Sequence, residues 1–232
     1  MLGVFFPTDF EAKEFVAHLE KIKRHDVNET PVYKGIFNNK ELIVGIIGIG
    51  HALSEKNARL IMSRHPLHMV ILAGFAGGLN ENLHKGNVVV ANGYTLPETL
   101  AYLKMIPDFD IADMCTVKEV VGTAEDKAEL RKKSGCHLVD METEGVAKVV
   151  NDFNVDFLAV RVISDTADEN LPVNALKHSY DYKKGRPNPL GLIIHCLFHP
   201  LDIMPLKKFI GSLPPIRTKL TQFLLAVCKE MI

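Results

Sequence analysis

The 232-residue chain has little that would commit it to the commoner binding chemistries. Its four cysteines, Cys115, Cys136, Cys196 and Cys228, are scattered and form no C-x-x-C pair. That removes the spacing expected of zinc ribbons and dithiol redox centres. They read as reduced thiols in a cytoplasmic protein, and the opening MLGVFFPTDFEAKEF lacks the basic stretch of an export signal. No apolar run reaches the ~20 residues of a membrane-crossing helix. Neither sign of charge is in excess, with 27 Lys and Arg against 28 Asp and Glu, so no nucleic-acid partner is expected. Neither G-x-G-x-x-G nor a Gly-Lys-Ser/Thr phosphate loop occurs. His195 and His199 stand four apart, but the intervening Cys196, Leu197 and Phe198 do not make H-E-x-x-H. No metal and no other cofactor is expected. Repeats and low-complexity linkers are missing as well.

What is present is an alternation of apolar strands and helical periods. Residues 2–6 form an apolar run ended by Pro7. Ala12, Phe15, Val16, Leu19 and Ile22 then recur at helical spacing, and Thr8 stands three before Glu11 as in a capping box. Residues 33–37 and 42–49 predict two strands joined at Asn38-Asn39, and residues 52–64 a helix. A strand over 69–73 leads into a glycine-rich turn, Gly74-Phe75-Ala76-Gly77-Gly78. Further strands are predicted at 87–91 and 116–121, and helices at 124–133 and 142–151. Pro97 and Pro107 place loops between residues 92 and 116. Residues 157–163, FLAVRVI, are nearly all apolar, as in a strand covered on both faces. The pattern implies one α/β domain over residues 1–232, a three-layer α/β/α sandwich on a mixed, mostly parallel sheet, with an apolar helical tail from about residue 185.

In such folds ligands lie at the carboxyl ends of strands. That rule selects residues 7–11, 48–51, 74–78 and 164–168. Ser164 and Asp165 leave a buried strand there. Burial would raise the Asp165 pKa and make it a proton donor, although such residues also serve as helix caps. In Val139-Asp140-Met141-Glu142-Thr143-Glu144-Gly145, Glu142 could accept both hydroxyls of a ribose while Met141 packs on the sugar. Acidic residues including Asp140 also suit the first turn of a helix. Glu11 is either a capping-box partner or a carboxylate for activating water. Phe75, Ala76 and Gly77 either let the backbone approach a ligand closely or simply turn the chain.

Taken in order from about residue 2 to 172, these segments resemble the purine nucleoside phosphorylase and nucleosidase superfamily, including methylthioadenosine/S-adenosylhomocysteine nucleosidases. Val-Asp-Met-Glu at 139–142 looks like that family's ribose-binding V-x-M-E, and Arg-Val-Ile-Ser-Asp at 161–165 like its R-x-I-S-D. Ala-Gly-Gly-Leu at 76–79 with Lys85-Gly86-Asn87-Val88-Val89 resembles its glycine loop and next strand. Gly48-Ile49-Gly50 with Asn57-Ala58 resembles its G-x-G…N-A element. The resemblance implies that Asp165 protonates a leaving purine, Glu142 holds the ribose and Glu11 positions water. Pro7-Thr8-Asp9-Phe10 departs from the acidic run usual before that glutamate.

Phosphorylases of the family usually place arginine near the first strand and a serine in the glycine loop. Here the first-strand loop has no arginine and the loop carries Phe75, which favours hydrolysis over phosphorolysis. A phosphate-dependent phosphorylase and a non-catalytic nucleoside-binding protein remain the alternatives. Residues 122–127 and 167–172 are similar to the hopanoid-associated group, whose proposed substrate is adenosylhopane, and the resemblance implies a homo-oligomer. The apolar tail over 189–210, with Lys207 and Lys208 near its end, fits either a peripheral membrane contact or a helix packed on the core or on a subunit.

Overall fold

The computed structural model describes residues 1–95, 97–103 and 105–231. In chain order it begins β1 (Leu2–Phe6), α1 (Asp9–Ala17), β2 (Glu20–Val27), β3 (Thr30–Phe37), β4 (Lys40–Ile46) and α2 (His51–Arg64). It continues with β5 (Met69–Gly78), β6 (Val88–Ala91), α3 (Pro97–Leu103), β7 (Phe109–Ala112), β8 (Met114–Thr116), α4 (Ala124–Ser134) and β9 (Leu138–Asp140). Then come α5 (Thr143–Asp152), β10 (Asp156–Asp165), α6 (Val173–Ser179), a short ribbon of β11 (Tyr180–Asp181) and β12 (Arg186–Pro187), α7 (Pro189–Phe198), a 3-10 turn (Pro200–Asp202) and α8 (Ile203–Met231).

The strands form one mixed sheet in the order β2-β3-β4-β1-β5-β10-β6-β7, with β9 and then β8 branching from the end of β5. Its centre, β4-β1-β5-β10, is parallel throughout. Alternate side chains enter opposite faces, as strand geometry requires. Val4 and Phe6 pack with Phe15 of α1 and with Leu220 and Leu224 of α8. Phe5 packs on the other side with Ile61 of α2 and Val146 of α5. Helices therefore cover both faces, giving the three-layer α/β sandwich that the alternation implies.

Several local expectations need correction. The first helix stops at Ala17, and Ile22 lies in β2 instead. This is an edge strand, largely exposed on both faces and rich in charge, so no apolar alternation marks it. Asn38 and Asn39 do make the turn, both at positive φ. Residues 74–78 are no loop: β5 runs through Gly78, because Gly77 and Gly78 pair with Val139 and Leu138 of β9. The strand expected at 116–121 ends at Thr116. After Val117 N–H bonds the Asp140 carbonyl, the chain leaves the sheet and turns its valines toward a cavity. Pro97 opens α3 rather than a loop, since a first-turn proline loses no helical hydrogen bond. Leu96 and Lys104, within the same stretch, lie outside the described residues.

Candidate active site

A cavity of about 330 Å³ opens at the carboxyl ends of β1, β5 and β10. That is within the size range of small-molecule sites. Glu11, Phe75, Ala76, Gly77, Asp140, Met141, Glu142, Ser164 and Asp165 all line it, so these nine candidate residues reach one place. Two features of the sheet bring them together. The end of β5 pairs with β10 on one side and β9 on the other, so residues 140–142 and 164–165 become neighbours across Gly77. The β5–β10 register also slips between Ile163 and Asp165, leaving Ser164 unmatched. Such a bulge re-aims side chains, and both Ser164 and Asp165 face the cavity.

Glu11 is buried at the start of α1. Thr8 caps that helix, accepting from the Glu11 N–H at 3.3 Å. Glu11 Oε2 accepts the Thr8 hydroxyl at 2.5 Å, and Oε1 turns to the Phe75 N–H at 2.9 Å. Burial raises its pKa, against the pull of these hydrogen bonds and of Arg161. The Phe75 ring itself stands edge-on to Phe10, 6.3 Å between centroids, and forms an apolar wall.

Glu142 occupies the position before α5 without capping it. Its Oε1 accepts the Gly50 N–H at 2.9 Å and its Oε2 lies 3.5 Å from Arg161 Nη2. Burial, reinforced by the nearby Asp140 charge, pushes its pKa up to about 8. The capping role falls to Asp140. Its Oδ2 accepts both the N–H and the hydroxyl of Thr143 and pairs with Arg161, while Oδ1 accepts Thr116. Although Asp140 lines the cavity wall, its carboxylate is fully engaged by protein. These contacts make Asp140 an anchor for Arg161 at the cavity wall. Met141, half-buried between the two, presents its thioether to the cavity.

Asp165 is 2% exposed. Its Oδ2 lies 2.7 Å from the ammonium of Lys127, which is itself fully buried in α4. Lys127 also donates to the carbonyls of Thr166 and Glu169. Ser164 Oγ sits 2.6 Å from Asp165 Oδ1 and 3.2 Å from the Ala76 carbonyl, its single proton serving either. Burial raises the Asp165 pKa while Lys127, and then Ser164, oppose the rise. The cap alternative does not apply, since Asp165 ends a strand and bonds no helix N–H.

Two residues of the site were not singled out in the sequence. Arg161 is wholly buried mid-strand, with Nε and Nη1 lacking any partner. A lone charge in an otherwise apolar strand was the signal available for it. Lys127 lies in a helix whose sequence, AEDKAELRKKS, offers several charged residues and no apolar stripe to orient it. Gly74 completes the geometry. A Cβ there would come 2.4 Å from Arg161 Nη1 and 2.9 Å from Glu11 Oε1. Among the described residues no Lys, Arg or His lines the cavity itself.

Known proteins share this framework. A 5′-methylthioadenosine/S-adenosylhomocysteine nucleosidase of Buchnera aphidicola is 23% identical over 204 residues, covering 75% of this chain and 81% of that protein. One of Staphylococcus aureus is 23% identical over 205 residues, covering 75% and 90%. Among solved structures, the Neisseria meningitidis nucleosidase in complex with methylthio-immucillin-A superposes with a TM-score of 0.74, at 17% identity and 98% coverage of both chains. Futalosine hydrolase of Helicobacter pylori gives 0.73 at 18% identity, covering 99% of this chain and 97% of that one. The model of the Phosphorylase superfamily matches residues 2–106 and 113–193, most of the sheet and every residue of the cavity except two on the C-terminal helix, and the chain belongs to that superfamily.

Proposed function

We propose that the protein hydrolyses the N-glycosidic bond of a purine nucleoside. The observation that carries this reading is the convergence of three buried carboxyl groups, Glu11, Glu142 and Asp165, on one cavity, each with its pKa raised by burial. Cleavage gives the ribose oxocarbenium character and leaves electron density on the purine. Asp165, whose pKa burial raises, donates toward N7 of the leaving base. Glu142 receives the ribose hydroxyls, and Met141 lies against the sugar. Glu11 orients the attacking water and accepts its proton, while Arg161 fixes the charge balance between Asp140 and Glu142.

Hydrolysis is favoured over phosphorolysis because a phosphate needs cationic donors. The guanidinium and ammonium nearest the site are paired with Asp140 and Asp165. Apolar walls from Phe10, Phe209 and Leu213 suit an adenine nucleoside with an apolar 5′ group, for which adenosylhopane is the candidate.

The test is product analysis with adenosine, methylthioadenosine, S-adenosylhomocysteine, inosine and an adenosyl-lipid mimic, with and without phosphate. Free base and free sugar, released regardless of phosphate, are expected. Ribose 1-phosphate formed only with phosphate would make the protein a phosphorylase. Asp165→Asn is expected to lower kcat by ~10²–10⁴-fold while nucleoside affinity changes little. Unchanged turnover in that variant would remove Asp165 as the acid, and no turnover by the wild type would leave a binding protein.

A further inference from the structure

The C-terminal region, from the end of the superfamily match onward, has an unusual distribution of polarity. Helix α7 points its polar side inward and its apolar side outward. On the inner side His195 is buried, stacked on His178 at 4.5 Å and His199 at 4.6 Å, with Nε2 2.7 Å from Asp202 Oδ2. On the outer side Leu190, Ile193, Ile194, Leu197 and Phe198 are exposed. The apolar face continues through Leu201, which is 89% exposed, to Ile203 and Met204 at the start of α8. Phe198 and Leu197 are 77% and 74% exposed. A contiguous apolar surface of this kind marks an interaction site.

Charge identifies what would cover it. Residues 181–230 contain eight Lys and Arg against three acids, Asp181, Asp202 and Glu230, although the whole chain is nearly neutral; Asp202 is paired with His195, Lys184 with Asp181 and Arg217 with Glu14. Lys207 and Lys208 are exposed one turn beyond Met204, and Lys183, Lys184 and Arg186 are exposed just before α7. A second copy of the chain meeting this face by two-fold symmetry would bring like charge against like charge. An anionic lipid surface matches both the apolar face and its basic margin. No single helix among the described residues is long and apolar enough to cross a membrane, and α7 meets the following helical segment at 115°. The later turns of α8 are locked in the core through Leu220, Leu224 and Val227. A segment so held can lie on a bilayer but not traverse it.

We infer that the outward face of α7, the 3-10 turn and the first turns of α8 dock on an anionic membrane surface. The candidate catalytic cavity borders the same region through Phe209 and Leu213 of α8. Tyr180 and Leu213 line both that cavity and a neighbouring hollow of about 310 Å³, whose lining also includes Ile210 and Pro187. Docking therefore sets the mouth of the site near the lipid, independently of which nucleoside reacts there.

Flotation with phosphatidylcholine vesicles, with and without phosphatidylglycerol, tests the inference. The wild type is expected to float with the anionic vesicles and to be released by high salt. The double substitutions Leu197→Glu/Phe198→Glu and Lys207→Glu/Lys208→Glu should each weaken binding by at least ~10-fold without changing thermal unfolding. Absence of flotation, equal flotation of the variants, or a wild-type oligomer that Leu197→Glu/Phe198→Glu splits into monomers would overturn it. The last result would make the face an interface between copies of this chain.

Discussion

Lys127 and Asp165 set against each other the two forces that decide whether a buried carboxyl group keeps its proton. Burial favours the neutral acid, and the ammonium 2.7 Å away favours the anion. Removing the ammonium leaves burial unopposed, so Asp165 in Lys127→Met should hold its proton to higher pH. A general acid works only while protonated. The high-pH limb of kcat/KM should therefore move to higher pH in that variant. A pH–rate profile on the proposed reaction reads this directly, and a limb that does not move would detach Asp165 from the titration. The same substitution strips the carbonyls of Thr166 and Glu169 of a buried donor and should cost about 1–3 kcal/mol of stability. The charged residues of this site were unequally legible. Arg161 announces itself as one charge within FLAVRVI, whereas nothing in AEDKAELRKKS distinguishes Lys127 from Lys132 or Lys133. Glu11 and Glu142 sit in sequences that fit helix starts equally well, and only the direction of their side chains, toward the backbone N–H groups of Phe75 and Gly50, separates a site from a cap.

At the scale of elements, β5 is where packing and site meet. Its glycines were readable as places of close approach, but not what approaches them. Gly74 faces Arg161 and Glu11, and a Cβ would fall 2.4 Å from the guanidinium of a fully buried arginine. Gly77 faces Asp165 Oδ2 at 3.2 Å and Val139 at 3.3 Å, a tight but tolerable contact. Gly74→Ala should therefore destabilise by about 1–3 kcal/mol, as overpacking does, and displace Glu11 and Arg161 together. Gly77→Ala should cost less stability yet still disturb Asp165. Thermal unfolding with kcat measured on both variants checks the order, and a milder effect at Gly74 would contradict the packing. The central strands were legible because both their faces are buried, which makes the sequence itself apolar. Strand β2 was hidden because it buries almost nothing, and β8 and β9 because three-residue strands carry no periodicity.

For the molecule as a whole, the site is a load on folding whose sign can be worked out. Carboxyl groups in folded proteins usually have lowered pKa values and stabilise above them. Glu11, Glu142 and Asp165 go the other way. Between the ordinary value of 4.5 and the folded value of about 8, Glu142 is neutral in the folded chain and ionised in the unfolded one. The folded state then binds the extra proton, so stability is full below this window and falls as pH rises through it. One such group changes stability by at most about 1.4 kcal/mol per pH unit. In a chain of this length each kcal/mol moves Tm by roughly 2–4 °C. Glu55, Asp168 and Asp181 shift downward, but they lie at the surface and are screened by solvent, so they oppose this trend weakly. Glu142→Gln mimics the neutral acid and can still accept the Gly50 N–H. Its Tm should match the wild type near pH 5 and exceed it increasingly toward pH 8.5. Parallel curves would mean that Glu142 is already ionised in the folded protein. A widening gap would show that the fold holds an anion-forming group where a neutral one would be more stable, the kind of cost that a reaction site explains and a packing role does not.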